Sequence, residues 1–357
     1  MSRFFSNKYR SLVPYTPGEQ PKEKKYIKLN TNESPYPPSE KAISMAAEAA
    51  HRLQLYPDPD CRELTGYLAA SLGVEPDEIL WTNGSDDVLN YAFMAFCDEN
   101  CPAVFPEITY GFYPVFARAN GIPFETVPLK EDFSVCPADY FHAGKTVFIA
   151  NPNAPTGLTL RVDQIESILK NNPDHVVVID EAYVDFGTES CIPLIHQYDN
   201  LLVTQTFSKS RSMAGARLGF GVAHRDLIRD LNTVKYSINP YCINSMTMAA
   251  GIGTLSDPQY TEANCRRIIQ TREMCKEKLV RMGFEMTDSK ANFLFVRHPD
   301  VSGQKLYERL KEYGVLVRHF NLPSISDYCR VTVGSEEEMT GFLETVKRIL
   351  EEINEKK

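Results

Sequence analysis

No apolar stretch in the chain approaches the roughly 18 residues that a membrane-spanning helix needs, which argues against a helical membrane protein. No apolar segment follows the basic residues of MSRFFSNKYRSLVPYTPGEQPKEKK either, so a secretory signal is not expected and the chain is read as cytoplasmic. Positive charge is in deficit: 38 Lys and Arg stand against 47 Asp and Glu, a net charge of −9, with only the short KEKK at 22–25 as a basic run. Nucleic acid is therefore not an expected partner. Cys-x-x-Cys pairs are missing, and the seven histidines show no HExxH spacing, so no metal site is expected. The nine cysteines are odd in number and scattered, as reduced, mostly buried thiols are, not as a disulfide framework. Repeats and low-complexity tracts are absent as well. What remains is an ordinary globular composition, 43% hydrophobic and 24% charged over 357 residues, long enough for two domains.

Residues 1–38 are rich in Pro, Lys, Tyr and Asn without a sustained period and read as an extended arm that needs another surface. From Ser39, SEKAISMAAEAAHRL has an N-cap and helical spacing, stopped by YPDPD. Short apolar runs then alternate with helical stretches: ILWT (79–82), DDVLNYAFMAF (86–96), AVF (103–105), TVFIA (146–150), VDQIESILK (162–170), HVVVID (175–180), LLVTQ (201–205) and GFGVA (219–223). Continuous β-branched strands separated by helices indicate an α/β domain with a mostly parallel sheet covered on both faces, placed at 39–240. Beyond it, a long helix near 257–282, the strands NFLFVR, GVLVR and CRVTV, and a last helix with a Ser335/Glu338 capping box predict a smaller α+β domain at 241–357.

Several chemistry-bearing residues fall at or just after predicted strand ends. In TFSKSRSMAGARLGFG (206–221), Lys209 follows a strand among residues too small to shield it, and Arg217 comes next. A lysine at a dry sheet edge suits imine chemistry, although an arbitrary Lys is usually a solvated loop residue. Asp180 closes the strand HVVVID, where open parallel sheets place ligands, or else caps a helix or pairs with a cation. TNGSDD (82–87) turns on glycine into a helix whose first amides suit a phosphate, unless Ser85 or Asp86 is a plain N-cap. NPNAPTG (151–157) is a rigid Asn/Pro turn after TVFIA. Five such features at strand ends are hard to reconcile with decoration.

In this order and spacing NPNAPTG, DEAY, TFSK and GARLGF resemble the fold-type I aminotransferases that use pyridoxal 5′-phosphate, and the resemblance spans nearly the whole chain. More narrowly, LVPYTPGEQP (12–21), LNTNESPYPPS (29–39), YPDP (56–59) and CRVTVG (329–334) are similar to histidinol-phosphate aminotransferases. The resemblance implies the PLP-dependent transferase fold type I and a homodimer with shared active sites. It implies that Lys209 forms an imine with the cofactor and then moves a proton, that Asp180 keeps the pyridine nitrogen protonated, and that Tyr183 hydrogen-bonds the phenolic O3′. Tyr110 would stack on the ring. Gly84, Ser85 and Asp86 would cradle the phosphate with Thr206, Ser208 and Arg217, and Tyr56 would reach it from the partner subunit. Arg330, with Arg318, Asn32 and a partner's Tyr15, would bind the substrate.

One departure stands out. Most relatives carry Asn immediately before PTG to bond O3′, whereas this chain has Ala154. Asn153 is assigned to that role, with Asn151, or Tyr183 alone, as alternatives. The implied reaction is transamination from histidinol phosphate, a small-molecule amine donor, to 2-oxoglutarate. An aromatic amino-acid aminotransferase and a threonine-phosphate decarboxylase are competing enzymes on the same scaffold. A cofactor-retaining, non-catalytic module would have lost Lys209 or Arg330, and neither is lost.

Overall fold

The computed structural model describes residues 2–10, 12–14, 18–21 and 23–355. A two-residue strand, β1 (Ile27–Lys28), precedes helices α1 (Glu40–Ala50) and α2 (Arg62–Leu72). Ser39 caps α1 by accepting the Ala42 N–H at 3.2 Å, and Gly73 ends α2 at φ 68°, a left-handed conformation open to glycine. The alternating stretch becomes β2 (Ile79–Thr82), α3 (Ser85–Phe96), β3 (Ala103–Pro106), α4 (Tyr113–Asn120), β4 (Phe124–Val127), β5 (Thr146–Ala150), α5 (Val162–Lys170), β6 (Val177–Asp180), β7 (Leu201–Thr206), β8 (Gly219–Ala223), α6 (Arg225–Ile238) and α7 (Ser245–Leu255).

These strands form one seven-stranded sheet in the order β2-β8-β7-β6-β5-β3-β4. The run from β7 to β4 is parallel throughout, and β8 is antiparallel to both β7 and β2. Period-two side-chain alternation splits each apolar strand between two cores. Val147, Ile149, Val177, Ile179, Leu201 and Val203 pack with α2, α5 and α7, whereas Phe148, Val178 and Leu202 pack with α3, α4 and α6. Phe93 of α3 stacks on Phe148 at 4.1 Å. At the carboxyl edge Ala150 pairs with Asp180 and Asp180 with Thr204, so the residues following β5, β6 and β7 emerge side by side.

The rest of the chain forms α8 (Pro258–Arg281), β9 (Glu285–Met286), β10 (Phe293–Arg297), α9 (Gly303–Glu312), β11 (Val315–Leu316), β12 (Arg318–His319), β13 (Cys329–Thr332) and α10 (Glu336–Asn354), the last opened by the Ser335/Glu338 capping box. An antiparallel sheet in the order β12-β13-β10-β9 packs its inner face on α8, α9 and α10 through Leu279, Leu294, Val331 and Phe342.

Two boundaries differ from the sequence expectation. The division after residue 240 falls before α7, yet Ala250 and Ile252 of α7 are buried in the core of the large sheet. Cys275 and Leu279 of α8 are the next residues to enter the small sheet's core. The arm, in turn, does not wait entirely for another surface: β1 pairs in parallel with β11, and Leu29 is buried in the small unit's core.

Candidate active site

The site is built first from two glycines. Gly84, at φ 86°, turns β2 into α3, and a Cβ there would meet the Arg217 guanidinium. Gly219 lets β8 pass directly under the start of α3, where a Cβ would overlap the Ser85 nitrogen and the Gly84 carbonyl carbon. The leading amides of α3 are thus pressed against the strand-end residues with the positive end of the helix dipole behind them. Arg217, at φ 56°, donates to Asp86 Oδ2 at 3.2 Å and to Ser208 Oγ at 3.4 Å, and Thr206 Oγ1 and Ser208 Oγ are linked at 3.0 Å. Asp86 also accepts from the Tyr110 hydroxyl at 2.7 Å. Its carboxylate is thereby turned to Arg217 and Tyr110, which leaves its backbone amide, not its side chain, suited to an anion.

Ser85, Asp86, Tyr110, Thr206, Ser208 and Arg217 line a cavity of about 180 Å³, together with Ala154, Asp180, Tyr183 and Lys209. Asp180 sits at the end of β6, buried, accepting the Ala182 N–H and the Tyr113 hydroxyl, each at 3.2 Å. Burial pushes its carboxyl up to about 7. Beside it, burial and the Asp180 charge push the Tyr113 hydroxyl well above its ordinary value. No ion pair to Asp180 exists among the described residues, so a cation entering the cavity would gain a buried counter-charge. Lys209, just beyond β7, donates its Nζ to the Thr31 carbonyl at 3.3 Å and lies 5.8 Å from the Tyr183 ring centre. One end thus suits a phosphate, the other a protonated ring nitrogen, with a primary amine at the wall.

NPNAPTG is placed differently from the sequence assignment. The Asn153 amide accepts from Thr109 Oγ1 at 2.7 Å and donates to the Ile108 carbonyl at 2.9 Å and to Thr156 Oγ1 at 3.2 Å. Asn151 is tied to the Leu160 backbone through both its amide atoms, at 3.1 and 2.8 Å. Neither side chain lines the small cavity, whereas Pro152 and Ala154 do. The assignment of Asn153 to the cofactor's O3′ gives way, because its amide is spent holding the turn. The Tyr183 hydroxyl is the polar group on that wall, and it accepts from Asn32 Nδ2 at 2.9 Å.

A second cavity of about 600 Å³ adjoins the first through Tyr110, Ala154, Tyr183 and Lys209 and reaches Arg318, Phe320 and Arg330. The two arginines are cross-strand partners on β12 and β13. Arg330 donates to the Asn30 carbonyl at 3.0 Å. Asn32 also borders this space, but its amide is directed to Tyr183 and Thr332. Tyr56 does not reach either cavity: it is 83% exposed between α1 and α2 and stacks on Tyr241 at 4.8 Å. Tyr15 lies outside the described residues. Sequence reasoning missed Tyr113 and Thr332. Tyr113 is three residues after Tyr110, and only its packing on Asp180 singles it out.

An open α/β sheet with an amine, a buried carboxylate and an anion cradle at its carboxyl edge defines a cofactor-dependent enzyme of the large α/β transferase class. The family model for aminotransferase class I and II matches residues 24–346, and the chain belongs to that family. It is 47% identical over 352 residues to the histidinol-phosphate aminotransferase of Brachyspira hyodysenteriae, covering 98% of this chain and 99% of that protein. It is 47% identical to the enzyme of the same name from a Marinomonas species, over 98% and 100% of the two chains. Among solved structures, histidinol-phosphate aminotransferase from Sinorhizobium meliloti in complex with pyridoxal-5′-phosphate superposes with a TM-score of 0.89 at 21% identity, covering 98% and 99% of the chains. That likeness establishes the shared fold type.

Proposed function

We propose that the chain is a pyridoxal-phosphate-dependent aminotransferase that takes histidinol phosphate as donor and 2-oxoglutarate as acceptor, serving histidine biosynthesis as a cytoplasmic homodimer with shared active sites. The observation that carries the cofactor reading is the convergence of Asp180, Lys209 and Arg217 on one cavity of about 180 Å³. The donor set fits the group: an anion cradle, a buried carboxylate lacking a cation, and an amine. When bound, pyridoxal phosphate supplies an electron sink for the charge left at the donor's Cα.

The chain's own residues do the rest. The α3 amides, Arg217, Ser208 and Thr206 hold the phosphate and fix the ring's position. Asp180 keeps a proton on the ring nitrogen, and the low-dielectric wall around it strengthens that pairing. Tyr183 donates to the phenolic oxygen. Tyr110 covers a ring face. Lys209 would hold the cofactor through its amine and would move a proton between the donor's Cα and C4′. Arg330 and Arg318 bind the donor's phosphate at the far end of the larger cavity, and Arg330 serves the carboxylate of the acceptor. Tyr56 and Tyr15 come from the partner.

The donor reading is supported by the full-length relatives at 43–47% identity and by the two guanidinium groups on one wall. Phe105, Phe124 and Phe320 in the larger cavity favour, as a second reading, an aromatic amino-acid donor. The purified enzyme is mixed in turn with histidinol phosphate, phenylalanine and threonine phosphate, and conversion of its visible absorbance to the pyridoxamine form is followed. Fastest conversion by histidinol phosphate is expected; fastest conversion by phenylalanine moves the assignment to the aromatic enzyme. Borohydride reduction and peptide mapping should place the cofactor on Lys209, and a label elsewhere would overturn the lysine.

A further inference from the structure

The turn that lines the cofactor cavity contributes a methyl group, Ala154, where an amide donor would sit, and the asparagines on either side of Pro152 are committed elsewhere. Tyr183 is left to supply the polar contact on this wall, so the direction of its hydroxyl proton matters. That direction follows from a chain of hydrogen bonds. Thr332 Oγ1 accepts the Asn32 backbone N–H at 2.9 Å, so its own proton is available for Asn32 Oδ1 at 3.0 Å. With Oδ1 engaged there, Asn32 turns its Nδ2 to the Tyr183 oxygen at 2.9 Å. An amide nitrogen only donates, so the tyrosine oxygen accepts, and its proton is left for another acceptor. All three partners are buried, and Asn32 is held at φ 54° with its carbonyl accepting from Asn292 Nδ2 at 3.1 Å.

We infer that Thr332 and Asn32 are positioning residues that set this hydrogen-bond polarity, so that Tyr183 presents its hydroxyl proton to the cavity and serves as the donor to the cofactor's phenolic oxygen. The inference rests on the cofactor reading above. The amide bond from Asn32 also polarises the hydroxyl and makes it a stronger donor. With the opposite amide orientation, Oδ1 would take the tyrosine proton and the cofactor would face a lone pair. Thr332 stands two residues from Arg330 on β13, and Asn32 two residues from Asn30, whose carbonyl Arg330 contacts. The charged groups on the walls around Tyr183 are Lys209, Asp180, Asp86 and Arg217 in the small cavity and Glu107, Arg118, Arg318 and Arg330, with Lys209 again, in the larger one.

The test is a pH titration of the visible absorbance of the holoenzyme. A donor at the phenolic oxygen disperses its negative charge, so the nitrogen linking Lys209 to the cofactor holds its proton less tightly; losing the donor moves the midpoint up. Thr332→Val, which frees Asn32 to turn Oδ1 to the tyrosine, should raise the midpoint by about one pH unit, as expected for a lost charge-assisted hydrogen bond, and Asn32→Ala, which removes the polarising amide, should raise it by less. Thr332→Ser, which keeps the hydroxyl, should titrate like the parent. Tyr183→Phe should raise the midpoint by itself and abolish the further effect of Asn32→Ala, whereas Ala154→Asn should restore a lower midpoint in Asn32→Ala by adding a second donor. A parent-like midpoint in both Thr332→Val and Asn32→Ala overturns the inference, as does an undiminished Asn32→Ala shift on the Tyr183→Phe background. If one variant fails to fold, the other with Thr332→Ser decides. A parent protein that binds no pyridoxal phosphate sinks the cofactor reading instead, visibly and before any variant is made.

Discussion

Arg318 and Arg330 face each other across β12 and β13, and their guanidinium carbons both lie 5.9 Å from the centre of the same ring, that of Phe320. Like charges opposite one another on a sheet repel, and a dianion seated against them offsets that repulsion where a lone carboxylate does so only in part. Arg318→Ala should cost histidinol phosphate on the order of 2–5 kcal/mol in transition-state binding, roughly thirtyfold or more in kcat/KM. The loss for phenylalanine should be much smaller. Arg330→Ala should damage both donors and 2-oxoglutarate. Steady-state kinetics on the three substrates separate these outcomes, and equal losses for both donors in Arg318→Ala would remove the phosphate from its role.

Asp180 gives a prediction that needs no substrate. Its folded-state carboxyl titrates at about 7, above its ordinary value of 3.8. Between those values the cofactor-free native state keeps a proton that the unfolded chain has released. Stability therefore falls as pH rises through this window and levels off above about 7. The full effect approaches about 4 kcal/mol. Asp180→Asn should raise the Tm of the cofactor-free protein at pH 8 by several degrees, with the gain fading toward pH 4. The same variant, loaded with cofactor, should lose on the order of a hundredfold or more in turnover. A pH-independent difference in Tm would show that the buried charge is compensated.

At both glycines of the phosphate cradle, Gly84 and Gly219, a Cβ would come within 2.5 Å of a neighbouring atom. At Gly219 an added methyl meets backbone atoms of Gly84 and Ser85, which cannot move without shifting the start of α3. Gly219→Ala should weaken pyridoxal-phosphate binding at least about tenfold, a loss of one good anion contact. Gly66→Ala, on a helical position of α2 with open space, should leave it unchanged and add up to about 1 kcal/mol of stability. Equilibrium titration with the cofactor measures the first effect and thermal melting the second.

Tyr56 is 83% exposed, flanked by Leu55 at 62%, and an apolar pair of this kind calls for a partner surface. Mixing impaired Tyr56→Phe and Lys209→Ala homodimers should bring activity up to about a quarter of the parental value where the Tyr56 hydroxyl is needed, because half of the exchanged dimers carry one intact site of two. No recovery after verified exchange would return Tyr56 to a role within its own subunit.

Much of this was legible in the sequence where chemistry and burial act locally. Runs such as TVFIA and VVID are buried at every position and mostly apolar because both faces of a parallel sheet are covered, so β5 and β6 stand out, with the Asn/Pro string just after the one and Asp180 at the end of the other. β4 does not stand out, because FETV is a half-exposed edge strand with polar residues on two of its four positions. The inward side of NPNAPTG is hidden for a different reason: which amide turns inward depends on Ile108 and Thr109, more than forty residues away and invisible to spacing. The Asn32–Tyr183 contact is equally hidden, since it joins the arm to the loop after β6 over a separation of 151 residues.

The pairing of Ile27 with Val315 has a consequence for the order of events during synthesis. The segment that carries Asn32 is synthesised 300 residues ahead of Thr332, and β11 and β13 both follow every strand of the large sheet. The large sheet can assemble while the nascent chain grows, whereas this segment must stay uncommitted until β11 and β13 have been made. The site is therefore completed only after the large sheet, and a chain stopped between β8 and β11 would hold the anion cradle without the two arginines or the threonine behind Tyr183.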